Sequence, residues 1–103
     1  MNYKNLTPVE FKQKSENTSD AVVLDVRTAA EIAGGKIKDA IEMDFFAADF
    51  NQKLLDMDKN KSYFIYCRSG NRSGQACAMM AANGFKNLYN LAGGMIAWEI
   101  EMR

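Results

Sequence analysis

The chain has 103 residues, 48% of them hydrophobic and 25% charged, which suits one globular domain over 1–103 and leaves no room for a second. Thirteen basic residues balance thirteen acidic ones, with no long run of either sign, so the general attraction used by nucleic-acid and anionic-membrane binders is missing. Histidine is absent, which excludes Cys-His and Ser-His-Asp nucleophile pairs, histidine zinc sites and histidine acid–base catalysis.

A domain of this size buries somewhat over roughly 60% of its unfolded surface, so its core needs neither disulfide nor metal staples. Cys67 and Cys77 are the only cysteines and form neither a CxxC pair nor a framework of four, so reduced thiols and a cytoplasmic setting are expected. The start MNYKNLTPVEFKQ lacks the basic head and apolar run of a signal peptide, and no stretch approaches the ~18 apolar residues of a membrane span. No membrane partner and no metal site are expected.

In chain order, Thr7 as N-cap, Pro8 at the first helical position and Glu10 at the third predict a helix from 8 to about 15. A polar loop leads to Ala21-Val22-Val23-Leu24, a run suited to a strand buried on both faces, with Asp25, Val26 and Arg27 at its end. Thr28 and Glu31 form a capping box for a short helix that Gly34-Gly35 ends. A short strand is expected within 37–43. Phe46, Phe50, Leu54 and Met57 then mark a helical stripe across 45–57. Residues 62–66 read as a strand, followed by the polar loop Cys67-Arg68-Ser69-Gly70-Asn71-Arg72-Ser73. Residues 74–83 are small or apolar nearly all round, which predicts a central buried helix stopped by Gly84. A last strand around Leu88-Tyr89 precedes Gly93-Gly94 and a final helix, in which Met95, Ile96, Trp98 and Ile100 are expected to pack on one side. Strands alternating with helices predict an α/β fold, a parallel sheet covered on both faces, with ligands gathered at the carboxyl ends of the strands. Asp25 and Cys67 both fall at such ends.

A thiol at a strand tip, followed by a polar glycine-containing turn into a helix, is ringed by inward N–H groups that form an anion nest. The helix N-terminus adds roughly half a positive charge, and Arg68 and Arg72 add formal charge. Together they favour the Cys67 thiolate and make it the nucleophile candidate. Cys77 lies in the apolar helix, where burial raises a thiol and blocks access, so it reads as core packing. Arg72 is expected to aim its guanidinium fork back at an anion in the loop. Asp25 and Arg27 are expected to brace the loop through ion pairs and backbone hydrogen bonds. Met95 and Trp98 are expected to pack rather than flank a pocket mouth.

The segments Leu24-Asp25-Val26-Arg27-Thr28-Ala29-Ala30-Glu31-Ile32, Cys67 to Ser73, and Gly84 to Trp98, in that order, resemble the rhodanese family over almost the whole chain. The resemblance implies a single-domain sulfurtransferase of three α/β/α layers around a five-stranded, mainly parallel sheet. It also implies Cys67 as sulfur carrier, with Arg68, Ser69, Gly70, Asn71, Arg72 and Ser73 holding the substrate. Lys36 stands where the family usually has a histidine, which bears on local loop structure more than on activity.

The expected reaction is attack by the Cys67 thiolate on the outer sulfur of a donor such as thiosulfate, giving a persulfide. Cyanide, a thiol or a sulfur-accepting protein then takes the sulfur, with no cofactor other than the covalent persulfide. Two alternatives remain: a non-catalytic rhodanese-like interaction module, and a cysteine-dependent phosphatase or arsenate reductase. The phosphatase loop carries one residue more than the four that separate Cys67 from Arg72.

Overall fold

Residues 2–102 are described by the computed structural model. In order they form β1 (Lys4–Leu6), α1 (Pro8–Glu16), β2 (Ala21–Asp25), α2 (Ala29–Ile32), β3 (Ile41–Glu42), α3 (Phe50–Leu55), β4 (Ser62–Tyr66), α4 (Asn71–Ala82), β5 (Asn87–Leu91) and α5 (Gly94–Glu101). Both capping boxes read from the sequence are present: Thr7 with Glu10 at α1, and Thr28 with Glu31 at α2.

The sheet order is β1-β5-β4-β2-β3, and every neighbouring pair runs parallel. All of β4 is buried, as the middle strand of a doubly covered sheet must be. Side chains alternate between its faces. Tyr63, Ile65 and Cys67 join Phe50 and Leu54 of α3 and Ala76, Cys77 and Met80 of α4 in one core cluster. Phe64 and Tyr66 join Phe11, Leu91, Met95 and Trp98 in the other. Phe11 anchors this second layer edge-on to Phe64, Tyr66 and Trp98, with ring centroids 5.6, 6.4 and 6.2 Å away. The α/β/α layering follows directly from the alternation. No helix among the described residues is long and apolar enough to cross a membrane.

Several boundaries differ from the sequence reading. Residues 37–43 contribute only Ile41–Glu42 as strand, because residues 37–40 turn, with Ala40 N bonded to Ile37 O at 3.1 Å. The helix expected over 45–57 is confined to Phe50–Leu55. Asp44 accepts from Phe46 N at 2.9 Å and holds a turn there, so Phe46 is 67% exposed rather than part of a buried stripe. The helix expected at 74–83 begins at Asn71 and buries one face, through Ser73, Ala76, Cys77 and Met80, not its whole circumference. In α5, Met95 is buried, but Ile96 and Ile100 are 45% and 58% exposed.

Candidate active site

The chain leaves β2 for β3 on one side of the sheet and leaves β4 for β5 on the other. The carboxyl ends of β2 and β4, where Asp25 pairs in register with Tyr66, therefore form the switch point at which parallel sheets bind ligands. Cys67 follows Tyr66 at that point. Its loop curls over the sulfur: Gly70 N donates to Sγ at 3.1 Å, Ser73 N at 3.4 Å and Ser73 Oγ at 3.3 Å. Gly70 makes the curl possible with φ +99°, and a Cβ there would press to 3.2 Å of Leu91 O.

Cys67 is fully buried, and burial works to raise its thiol. The Ser73 hydroxyl and the amides of Ser73, Gly70 and Ser69 outweigh burial and hold the thiol below its ordinary value. Cys77, equally buried, faces no such donors and is pushed up to about 12 by burial, with a smaller contribution from the charge on Cys67. A preorganised ring of donors around one sulfur stabilises a thiolate and any anionic sulfur bonded to it.

The loop is held from behind. Met95 N donates to Cys67 O at 2.9 Å and Ile96 N to Arg68 O at 3.1 Å, so the start of α5 takes up the loop carbonyls. Gly94 permits this approach, because a Cβ there would collide with the Arg68 carbonyl. Asn90 adds a tie that the sequence did not single out: its Nδ2 donates to Gly70 O at 3.2 Å and to Asn5 Oδ1 at 2.9 Å. The only hint was an amide on a strand otherwise suited to burial. Its own Oδ1 is buried without a partner, a cost tolerated on a strand that packing alone would make apolar.

Asp25 and Arg27 form a buried, bidentate pair. Arg27 Nε and Nη2 reach the carboxylate at 3.0 and 2.7 Å, and Arg27 N at 3.0 Å. The guanidinium also donates to Glu31 O at 3.3 Å and Gly35 O at 2.8 Å, which ties β2 to the C-terminal end of α2 and the turn after it. Neither residue lies among the donors to the sulfur, so both brace the surroundings.

Arg72 corrects the sequence reading. Its fork does not point at an anion in the loop: Nη1 and Nη2 donate to Glu31 Oε1 and Oε2, each at 2.8 Å, and the guanidinium lies 5.5 Å from the Phe46 ring centroid. Glu31 already caps α2 by accepting from Thr28 N at 3.0 Å. The Arg72 fork first, and Thr28 N next, push its carboxyl down to about 2. The spacing from Cys67 suits either target, and a carboxylate 41 positions away outcompetes the sulfur by offering two coplanar acceptors.

Arg68 and Ser69 are exposed, and Arg68 makes no ion pair with the described residues. Asn71 is exposed and accepts from Gln75 Nε2 at 3.4 Å, away from the sulfur. A cleft of about 350 Å³ opens beside the loop, between Arg68, Arg27 and Glu31 on one side and Met95, Ile96, Glu99 and Ile100 on the other. Met95 thus lines the cleft while Trp98 packs on Phe11. Lys36 clamps its own turn: Nζ donates to Ala40 O and Glu42 Oε2, both at 3.0 Å.

A parallel five-stranded α/β/α domain with a cysteine cradled at a strand-to-helix turn defines the rhodanese-like class. The chain matches the family "Rhodanese-like domain" over residues 7–101 and belongs to it. A sulfurtransferase of Allochromatium vinosum is 41% identical over 88 residues, 85% of this chain and 80% of that one. YtwF of Bacillus subtilis, whose name also carries the word sulfurtransferase, is 36% identical over 103 residues, 100% of this chain and 97% of that one. A tRNA uridine(34) hydroxylase of Cytophaga hutchinsonii is 38% identical over 101 residues, 95% of this chain but 32% of that protein. Among solved structures, a rhodanese-like domain protein from Staphylococcus aureus superposes with TM-score 0.79 at 34% identity, covering 92% of this chain and 90% of that one.

Proposed function

We propose that the protein is a sulfurtransferase in which Cys67 carries the sulfur as a persulfide. The observation that supports this most is the ring of donors on Sγ, which holds the thiol below its ordinary value despite full burial. With thiosulfate as donor, the Cys67 thiolate attacks the outer sulfur. A bond forms between Sγ and that sulfur, the bond to the sulfonate sulfur breaks, and sulfite leaves with the electron pair. Cyanide or a thiolate then attacks the outer sulfur, and Cys67 leaves as thiolate. No proton is removed in either step, which fits a site without histidine. Neither metal nor organic cofactor is needed.

Arg68 is the cation available to an anionic donor, since Arg72 and Arg27 are spent on Glu31 and Asp25. The same arrangement disfavours phosphate chemistry. The cradle is one residue shorter than the phosphatase loop, its donors close on a single sulfur, and the Arg72 fork is bound to the Glu31 carboxylate. A purely non-catalytic module has no use for a thiol kept ionisable at the cost of burying it.

The test is thiocyanate formation from thiosulfate and cyanide. Cys67→Ser abolishes it, while Cys77→Ser keeps most of it. Equal losses in folded variants would show that no single nucleophile carries the reaction.

A further inference from the structure

We infer that Asn90 is a positioning residue for the chemistry of Cys67: its amide holds the Gly70 carbonyl, and with it the Gly70 N–H that donates to Sγ. Replacing that amide should detune the thiol without weakening the fold. The consequence for sulfur transfer rests on the sulfurtransferase reading, and the consequence for the thiol does not.

Asn90 projects from β5 on the face of the sheet that carries the sulfur. Leu88 and Cys67 belong to one core cluster, whereas Tyr89 and Leu91 pack with the other, so alternation along the strand places Asn90 with Leu88 and Cys67. Its register partner on β4 is Ile65, two residues before Cys67. Packing favours an apolar side chain at such a position. Asn90 is instead an amide only 4% exposed, and its Oδ1 is the single buried side-chain nitrogen or oxygen among the described residues without a hydrogen-bond partner. A buried carbonyl left in that state is costly and calls for an offsetting role. Both hydrogens of the amide supply one: Nδ2 donates to Gly70 O at 3.2 Å and to Asn5 Oδ1 at 2.9 Å. The two acceptors also fix its orientation, because the amide turned over would set Oδ1 against two oxygens.

Gly70 is where such a hold is needed. Its φ is +99°, and a glycine has no side chain to confine it there. Its N–H reaches Sγ at 3.1 Å, closer than either donor of Ser73. Its carbonyl accepts from Gly74 N at 3.1 Å and from Asn90 Nδ2. The Gly74 bond belongs to the first turn of α4 and moves with that helix. The Asn90 bond ties Gly70 to β5, the strand beside β4, which ends one residue before Cys67. Donor and sulfur are thus referred to neighbouring strands of one sheet. With the carbonyl held, Gly70 cannot swing its N–H off Sγ without breaking these bonds, so the donor stays aimed at the thiolate before any charge has to be stabilised. The bond to Asn5 has a different part. It joins β5 to β1, and Asn5 is exposed, so water can take its place.

The experiment compares the wild type with Asn90→Leu, which keeps the branched shape of the side chain, and with Asn5→Ala, which removes only the bond to β1. Urea unfolding, an ultraviolet thiolate titration and the NMR shift of the Gly70 amide proton across that titration are measured on each. The rate at which thiosulfate adds one sulfur to the intact mass is then followed against pH. In Asn90→Leu the unfolding midpoint should stay or rise, the thiolate should form at higher pH, and the Gly70 proton should respond less to it. The wild-type thiolate is lost as pH falls through a value held low, so the acid limb of the rate moves up with the titration. At neutral pH the rate should fall about twofold to tenfold, the worth of one hydrogen bond, and recover in alkali. Asn5→Ala should keep the wild-type titration and rate. An unmoved titration and Gly70 shift in Asn90→Leu, or equal effects in Asn5→Ala, would overturn the inference. So would a failure to fold in both Asn90→Leu and the smaller, strand-suited Asn90→Val, which would assign the amide to the fold. A wild type that gains no sulfur would overturn the sulfurtransferase reading and leave the thiol result standing.

Discussion

Two cysteines sit in one core cluster, both fully buried, and their thiols move in opposite directions. The separation comes from hydrogen-bond donors, because burial acts on both in the same sense. Ser73 supplies two of those donors, and Ser73→Ala removes the hydroxyl while keeping the amide, so the Cys67 thiol should rise. The thiol is held low in the wild type, so the thiolate persists below the ordinary thiol range and is lost as pH falls through the folded value. In Ser73→Ala the acid limb of the rate profile should move to higher pH, with activity returning in alkali. An ultraviolet thiolate titration and a pH–rate profile check this together, and an unmoved limb would contradict it. The sequence singled out the cysteine whose sulfur is ringed by donors, because only Cys67 is followed by a polar, glycine-containing run. It did not reveal that a hydroxyl six positions on is the leading donor, or that Arg72 is claimed by Glu31, since both depend on how the chain closes on itself.

Among the elements, α2 is four residues long, too short to persist on its own. Thr28, Glu31 and Arg72 hold it, and Arg72 links it to the start of α4. The Glu31 carboxyl lies near 4.5 when free and at about 2 in the fold. Its contribution is therefore complete above about 4.5 and lost as pH falls through about 2. Glu31→Gln should lower stability at neutral pH by about 1 kcal/mol, taking a partly exposed bidentate pair near the top of the surface range, and should flatten the loss of stability on acidification. Urea unfolding of both proteins at neutral and acid pH measures it, and parallel losses on acidification would contradict the role given to Glu31. The caps of α1 and α2 were legible because a capping box is local in sequence. β1 was not, since Lys4-Asn5-Leu6 has no strand pattern of its own and becomes a strand by pairing with Tyr89, Asn90 and Leu91. The false first turn of α3 has the opposite cause: a helical spacing of apolar residues overridden by an aspartate turn at its start.

At the scale of the whole molecule, a sheet with all of its strands parallel carries helices on both faces, so its ligand can approach only at an end. The layering was visible in the alternation of strands and helices, and the resemblance supplied the strand count. What the sequence left hidden is the way α5 and β5 grip the back of the cysteine loop through Met95, Ile96 and Asn90, contacts that join segments twenty or more residues apart. On the proposed function, this closed loop makes Cys67 a covalent carrier of sulfur. The intact mass of the protein after incubation with thiosulfate and removal of the reagent tests it most directly. A gain of one sulfur atom is predicted, lost on adding cyanide, absent in Cys67→Ser and retained in Cys77→Ser. An unchanged mass in the wild type, or a gain that survives Cys67→Ser, would contradict it.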